Sequence, residues 1–417
     1  MARHRVRRVR VVAAAVVLLA LVGGLWVEEP VGGASRFGAV VLASSLIVIL
    51  AAMRIAFRGT HLTYGDYRRA LELFRDRRWG EAVALYDQLI TQLRQARSDA
   101  ARDLLGLSLL NRGLALQEMG RPAEALVSYD EVVATNERRA GAVGREQLGR
   151  ALLRRAGVMA ELGNLDAAAL ATEDVVTRFA DANDPLFRGL AARALLQEGA
   201  ILDGVGRHEE AMSSCDRLLG LFGDETDWAV AQNVAMALFN RGEALGNLGR
   251  HDDAVGEYDR VVDAYGAVPA AAEIVAWSLV NMGIELERLG KLAEAVRVYE
   301  SLAARFAGAS EPPLIAQMAK ASFNTGNALA LLGRAEDAVA EYERVVRDSA
   351  GEPLAARDVA AALANRASLL CQLHRRAEAL DACGEFRRLA AGLPGDEVLR
   401  STEVVARVER ECGSPAN

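Results

Sequence analysis

Hydrophobic residues follow two different patterns along this chain. Near the N-terminus they form two runs without charge, residues 11–27 and 37–53, and the second resumes after Arg54 to reach Phe57. A helix needs about 17–25 apolar residues to cross the hydrocarbon core of a bilayer. We therefore expect a transmembrane hairpin, with helices at about 11–27 and 37–57. The alternative for the first run is a cleaved signal peptide, because it has a basic start and a short apolar core.

Further along the chain, apolar residues recur at helical spacing instead. The segment GRPAEALVSYDEVV begins at Gly120 and places apolar residues at i, i+1, i+4, i+7 and i+8, starting from Ala125. This spacing is typical of a helix with one buried face. The preceding stretch has the same periodicity and ends at Gly120, a residue that stops helices because it accepts a positive φ. The pattern predicts a pair of helices.

The 14-residue segment that begins at Gly120 has eight copies along the chain, which align without gaps. Each copy contains one alanine at the same place, here called the reference alanine: Ala82, Ala125, Ala168, Ala211, Ala254, Ala295, Ala338 and Ala379. The intervals between them are 43, 43, 43, 43, 41, 43 and 41 residues. Twelve residues before the reference alanine the chain has only Gly or Ala, which predicts that the two helices of each repeat cross closely there.

The motif Asn-x-Gly, followed by Leu-Gly-Arg-x-x-Glu-Ala-Val-x-x-Tyr, resembles the tetratricopeptide repeat (TPR) over residues 64–392. The repeat is longer than the usual length of about 34 residues and is closer to the long repeats of kinesin light chains. The resemblance implies an α-solenoid whose first helices line a concave surface. The predicted fold class is all-α, with about eight TPR-like helix pairs preceded by two transmembrane helices.

These patterns divide the chain into four parts. Residues 1–58 form the membrane anchor and residues 62–392 the repeat array of eight units. Residues 396–412 are predicted to form a C-terminal capping helix with a polar outer face, and residues 413–417 a disordered tail. A cap is expected because the last unit of such an array has no neighbour to cover it.

Charge bears on orientation and on the kind of partner. Residues 1–58 carry eight Arg and two Glu, so the rest of the chain has a net charge of −13 within a total of −7. Basic residues flank both apolar runs, which by the positive-inside rule places the array in the cytoplasm and the protein in the cell membrane. An acidic array argues against binding of nucleic acid through phosphates.

No residue pattern for catalysis or cofactor binding is present in the sequence. The motifs GxxxxGK[ST], HExxH and GxSxG are missing, so we expect no enzyme activity, no cofactor and no metal site. His208, His251 and His374 lie in repeat turns, where a structural role is expected. The four cysteines show no metal-ligand spacing and are expected to be buried, reduced thiols.

One set of residues is a candidate binding surface. By the geometry that the resemblance implies, a stripe on the first helices faces inward and needs a cover, either the neighbouring first helices or a bound partner. Several repeats have Asn two residues before the Gly or Ala at which the two helices cross. These Asn residues either bond locally between helices or, as in peptide-binding arrays of the family, hold the backbone of a bound peptide. The candidate residues are Leu107, Leu110, Leu114, Met236, Phe239, Asn240, Trp277, Val280, Asn281, Ile284, Phe323 and Asn324.

The sequence thus predicts a membrane-anchored scaffold that binds cytoplasmic proteins or peptides and has no catalytic activity of its own. Two alternatives stay open. One is a regulator that senses a ligand or peptide, and the other is an effector that perturbs the membrane through its hairpin.

Overall fold

The computed structural model describes residues 64–95, 98–139, 141–349, 351–395 and 398–413, and these form seventeen α-helices without any strand. The predicted all-α solenoid class is thereby confirmed for this part of the chain. The helices are α1 (Tyr64–Arg75), α2 (Trp79–Leu93), α3 (Asp99–Glu118), α4 (Pro122–Asn136), α5 (Ala142–Glu161), α6 (Leu165–Phe179), α7 (Pro185–Gly204), α8 (His208–Phe222), α9 (Trp228–Asn247), α10 (His251–Tyr265), α11 (Ala272–Arg288), α12 (Leu292–Arg305), α13 (Pro312–Leu331), α14 (Ala335–Asp348), α15 (Ala356–Gln372), α16 (Arg376–Ala390) and α17 (Leu399–Gly413).

The turn between the two helices of a repeat follows from its sequence. In repeat 2, the backbone N–H of Arg121 donates to Leu116 O at 2.9 Å, and that of Gly120 donates to Gln117 O at 2.9 Å. This Schellman arrangement needs a left-handed residue, and Gly120 has φ = 69°. Pro122 then opens α4 at its first position, where a missing N–H costs nothing.

Helices α1 to α16 form eight pairs, one for each reference alanine. Most first helices have 20 residues, such as α3, and the second helices have 14 or 15, such as α4. The added length of the repeat therefore lies largely in the first helices. A short 3-10 turn, Pro269–Ala271 or Pro353–Ala355, precedes the shorter first helices α11 and α15.

The chain divides into two compact units. Unit 1 ends at Val234 and contains α1 to α8 with the start of α9; unit 2 begins at Ala235 and contains the rest of α9 with α10 to α17. Within unit 1, buried side chains of repeats 1 to 3 form one apolar cluster around Tyr86 and Tyr129. Within unit 2, repeats 7 and 8 and α17 share another around Tyr342 and Phe386.

The predicted location in the cell membrane is contradicted. In the part of the chain that the structure describes, no helix is long and apolar enough to cross a bilayer. The 20-residue helices have sufficient length, but they carry charges along it, as α3 does from Asp99 to Glu118. The apolar segments 11–27 and 37–57, on which the prediction depended, lie outside the described residues.

The prediction of reduced cysteines is wrong for one pair. Cys371 in α15 and Cys412 in α17 form a disulfide, whereas Cys215 and Cys383 are free and buried. The two bonded cysteines are separated by 41 residues, and only the packing of α17 on repeat 8 brings them together. The predicted bounds of the array and the capping role of α17 stay predictions; residues 414–417 lie outside the described part.

Candidate functional site

The twelve candidate residues are distributed over both units, and none is largely exposed. Three lie in unit 1, on α3, and nine lie in unit 2, on α9, α11 and α13. Leu107, Leu110, Phe239 and Val280 are buried. The other eight are half-buried: Leu114, Met236, Asn240, Trp277, Asn281, Ile284, Phe323 and Asn324. Neighbouring helices therefore cover part of the stripe. Whether the remainder binds a partner stays a prediction.

Aromatic rings of successive repeats contact one another in unit 2. The ring centroids of Phe239 and Trp277 are 6.0 Å apart at 51°, and those of Phe239 and Tyr258 are 5.6 Å apart at 54°. In repeat 7, the ring centroids of Phe323 and Tyr342 are 6.1 Å apart. Tilted pairs at these distances are favourable beyond their buried area. Trp277 keeps part of its ring accessible, so it forms the exposed edge of this aromatic cluster.

Several of the recurrent asparagines bond to tyrosines of the preceding repeat. Asn111 Nδ2 donates to Tyr67 Oη at 2.6 Å, and Asn324 Nδ2 donates to Tyr299 Oη at 3.3 Å. Burial raises the pKa of Tyr258 above its usual value, and a hydrogen bond from Asn281 opposes that shift. These amides serve as links between repeats, which is the local role that the sequence left open beside ligand binding.

A basic cluster on the first helices of unit 1 was missed by the sequence analysis. It consists of Arg150 and Arg154 on α5 and Arg193 on α7. Arg193 is accessible to solvent, yet it lies among enough protein atoms that desolvation lowers its pKa, and the charges of Arg154 and Arg150 lower it further. Arg150 is bonded to Glu146 at 2.6 Å. No described carboxylate forms an ion pair with Arg154 or Arg193.

Repeat alignment could have revealed this cluster. Arg150 and Arg193 lie eighteen residues before their reference alanines, the place that Leu107, Met236 and Trp277 hold in other repeats. The basic cluster therefore occupies the same face of the first helices as the candidate residues. This face, taken in each unit by itself, is called the first-helix face below.

The repeat histidines make local contacts. His208 Nδ1 lies 2.6 Å from Asp203 Oδ1, and His251 Nδ1 lies 2.6 Å from Glu285 Oε2. Among the described residues, no group of three or more His, Cys, Asp or Glu side chains is arranged to hold a metal ion.

Comparison with known families detects tetratricopeptide repeats in this chain. A family model of that description matches residues 227–271 and 280–353, and a second with the same description matches residues 105–144. No curated protein matches the sequence.

Solved structures share the helical-repeat fold. The apo form of RapI aligns with a TM-score of 0.50 and 11% identity, over 84% of this chain and 96% of that one. Aspartyl phosphate phosphatase F from Bacillus subtilis aligns at 0.44 and 12% identity, over 86% and 98% of the two chains. A tetratricopeptide repeat protein from Parabacteroides merdae aligns at 0.40 and 13% identity, over 74% and 99%. At 11% identity the likeness to RapI shows the fold alone.

Proposed function

We propose that this protein is a non-catalytic binding module that holds a segment of another protein or a peptide against the first-helix face. Tetratricopeptide repeats support the general class, since they are typically interaction scaffolds. The observation that carries the proposal is the basic cluster in unit 1, where Arg154 and Arg193 have no ion-pair partner among the described residues.

Charge complementarity specifies the chemistry of the partner. Like charges brought together in a partly desolvated place are unfavourable unless an opposite charge joins them. Two arginines without carboxylates therefore favour an acidic ligand, and guanidinium groups bind carboxylates with two parallel hydrogen bonds. The proposed occupant of this part of the face is an acidic segment.

The test uses a fluorescein-labelled peptide of alternating Glu and Ser, and the same peptide with Gln in place of Glu. Fluorescence anisotropy should show that the full-length protein binds the acidic peptide, less tightly at high salt because screening weakens charge attraction, and does not bind the Gln peptide. The double variant Arg154→Ala/Arg193→Ala should lose at least about tenfold in affinity, equivalent to about 1.4 kcal/mol.

The matched control is Arg102→Ala/Arg121→Ala. It also removes two positive charges from unit 1, but each of these arginines is already bonded to a carboxylate three residues away. Its affinity should stay close to that of the wild type. Equal losses in both double variants would mean that net charge alone attracts the peptide, and the proposed site would then be wrong.

A further inference from the structure

Two departures from the commonest repeat pattern lie close together in repeats 3 and 4. Four residues after the reference alanine, five of the eight repeats have Tyr, but repeats 3, 4 and 8 have Thr172, Cys215 and Cys383. Thirteen residues before it, five repeats have Arg and two have Met282 or Thr325, but repeat 4 has Glu198. Thr172 on α6 and Glu198 on α7 line one location in unit 1, together with residues of α8.

The arginine of the common pattern shows what this location normally holds. In repeat 2, Arg112 Nε donates to Asp87 Oδ1 of the preceding repeat at 2.6 Å, and its Nη1 donates to Ser128 Oγ at 2.7 Å. Arg366 of repeat 8 bonds similarly to Glu343 of repeat 7 at 2.9 Å. A guanidinium group of the chain itself thus links a carboxylate of one repeat to the next repeat.

Repeat 4 has a carboxylate in place of that arginine. Glu173 corresponds to Asp87, and Ser214 corresponds to Ser128, but Glu198 replaces the arginine. Arg217, at a different position of repeat 4, donates to Glu173 at 2.6 Å, and Ser214 Oγ donates to Glu198 Oε2 at 2.9 Å. Glu198 therefore lies where five other repeats have a cation, and no cation is bonded to it among the described residues.

A cavity of about 230 Å³ opens at the same place. It is lined by Ala156 and Thr172, among others, and the missing tyrosine explains it. In repeat 2 the ring of Tyr129 packs so closely on the first helix that a Cβ at Gly113 would lie 2.5 Å from Cε1. Ala156 and Thr172 cannot fill the equivalent space. The cavity could hold about eight water molecules at about 30 Å³ each.

The cavity wall combines excess negative charge with an apolar side. Its acidic residues are Asp166, Glu198 and Glu210, and its basic residues are Arg207 and Arg217. Both arginines are already bonded, Arg207 to Glu210 and Arg217 to Glu173, each at 2.6 Å. Neither Asp166 nor Glu198 has a bonded cation among the described residues.

Glu198 shows the electrostatic consequence of this arrangement. Burial raises the pKa of its carboxyl group above the usual value, and the hydrogen bond from Ser214 and the charge of Arg217 oppose the shift only in part. A carboxylate that is partly desolvated and has no bonded cation favours the approach of a cation. Ile201 and Leu202 supply an apolar wall beside it.

We propose that this cavity binds a small molecule that carries a guanidinium group on a short apolar chain. The guanidinium group would bind to Glu198, the lining carboxylate that accepts from Ser214 and has no bonded cation, and the chain would lie in the space left by the missing tyrosine. The site is formed mainly by second helices and is independent of the proposed peptide site on the first helices.

The test is a calorimetric titration of the full-length protein with butylguanidine and with butylurea, which has the same shape but no charge. Saturable binding of butylguanidine is expected, with butylurea at least about tenfold weaker. Glu198→Gln should weaken butylguanidine binding by at least about tenfold. The control Glu209→Gln removes the same charge from an exposed residue outside the cavity lining and should bind as the wild type does.

A second variant tests the cavity without removing charge. Ala156→Gly/Thr172→Tyr restores the pair found in repeat 2 and should fill the space, so that butylguanidine binding is lost while the melting temperature is kept or raised. The proposal is wrong if the wild type shows no saturable binding, if butylurea binds equally well, or if the filled variant still binds.

Discussion

A close contact between single residues recurs in the array, joining the glycine twelve places before the reference alanine to the tyrosine four places after it. A Cβ at Gly283 would lie 2.2 Å from Cε1 of Tyr299, and one at Gly242 would lie 2.7 Å from Cε1 of Tyr258. Glycine inside a helix costs about 1 kcal/mol relative to alanine. The contact with the tyrosine ring explains why these repeats have glycine at this place despite its cost in helix stability.

We therefore expect Gly283→Ala to lower the free energy of unfolding by about 1–3 kcal/mol, the usual cost of overpacking. Gly256→Ala is the matched control, because Gly256 lies within α10 and a Cβ there would meet nothing within 4 Å. That change should raise stability by up to about 1 kcal/mol. Urea unfolding of both variants measures the difference, and equal stability of the two would contradict the packing argument.

Substitutions of Trp277 and Phe239 distinguish a packing role from a binding role on the first-helix face. The ring of Trp277 is half-buried beside Phe239, whose own ring is only 8% exposed. Phe239→Ala should thus cost about 3–5 kcal/mol of stability, as for a core aromatic, whereas Trp277→Ala should cost less. If Trp277 anchors a partner, its truncation should weaken capture of proteins from lysate by about 2 kcal/mol or more. A large stability loss without a selective loss of capture would place Trp277 in the core only.

At the scale of elements, α17 is joined to repeat 8 by several kinds of contact. It packs on both helices of repeat 8, burying Val405 and Val408, and the disulfide between Cys371 and Cys412 joins it to α15. An ion pair between Arg387 and Glu409 adds a contact to α16. The helix is thus attached to repeat 8 both covalently and by packing.

Reduction should therefore loosen α17 before the rest of unit 2. Closing a loop of 41 residues stabilises a fold by about 3–5 kcal/mol in the chain-entropy description. With dithiothreitol present, trypsin should cleave first within α17, at Arg400, Arg407 or Arg410, and mass spectrometry identifies the sites. The variant Cys371→Ser/Cys412→Ser should show this cleavage with and without reductant. If the wild-type protein is cleaved at the same sites and rates with and without reductant, the proposed role of the disulfide is contradicted.

On the scale of the whole molecule, contacts between neighbouring repeats dominate, so one repeat should be removable in register. Deleting residues 291–333 joins Gly290 to Arg334 and pairs α11 with α14, so that Gly283 meets Tyr342 in place of Tyr299. The shortened protein should stay folded, with circular dichroism per residue unchanged.

Deleting residues 291–310 is the control, because it removes α12 alone and leaves α11 without its partner helix. We expect a loss of helical signal and a broader thermal transition, since half a repeat cannot bury its apolar face. If both deletions behave alike, the stability of unit 2 does not depend on whole repeats.

The sequence by itself determined the parts of this protein that depend on local spacing. The period of the reference alanines, the turn glycines and the contact between small residues and tyrosines all belong to one helix pair, so they recur in most repeats. Eight pairs and their order could be read from that repetition. The side-chain face of each first helix followed from the same periodicity.

Tertiary structure alone decided what happens between residues of different repeats. Leu107 and Leu110 are buried because neighbouring helices cover them, and Arg154 approaches Arg193 because α5 packs beside α7. The disulfide depends on how α17 docks, and the cavity depends on how repeat 4 packs beside repeat 3. Such contacts result from three-dimensional packing of residues far apart in the chain, which the period of a single repeat does not encode.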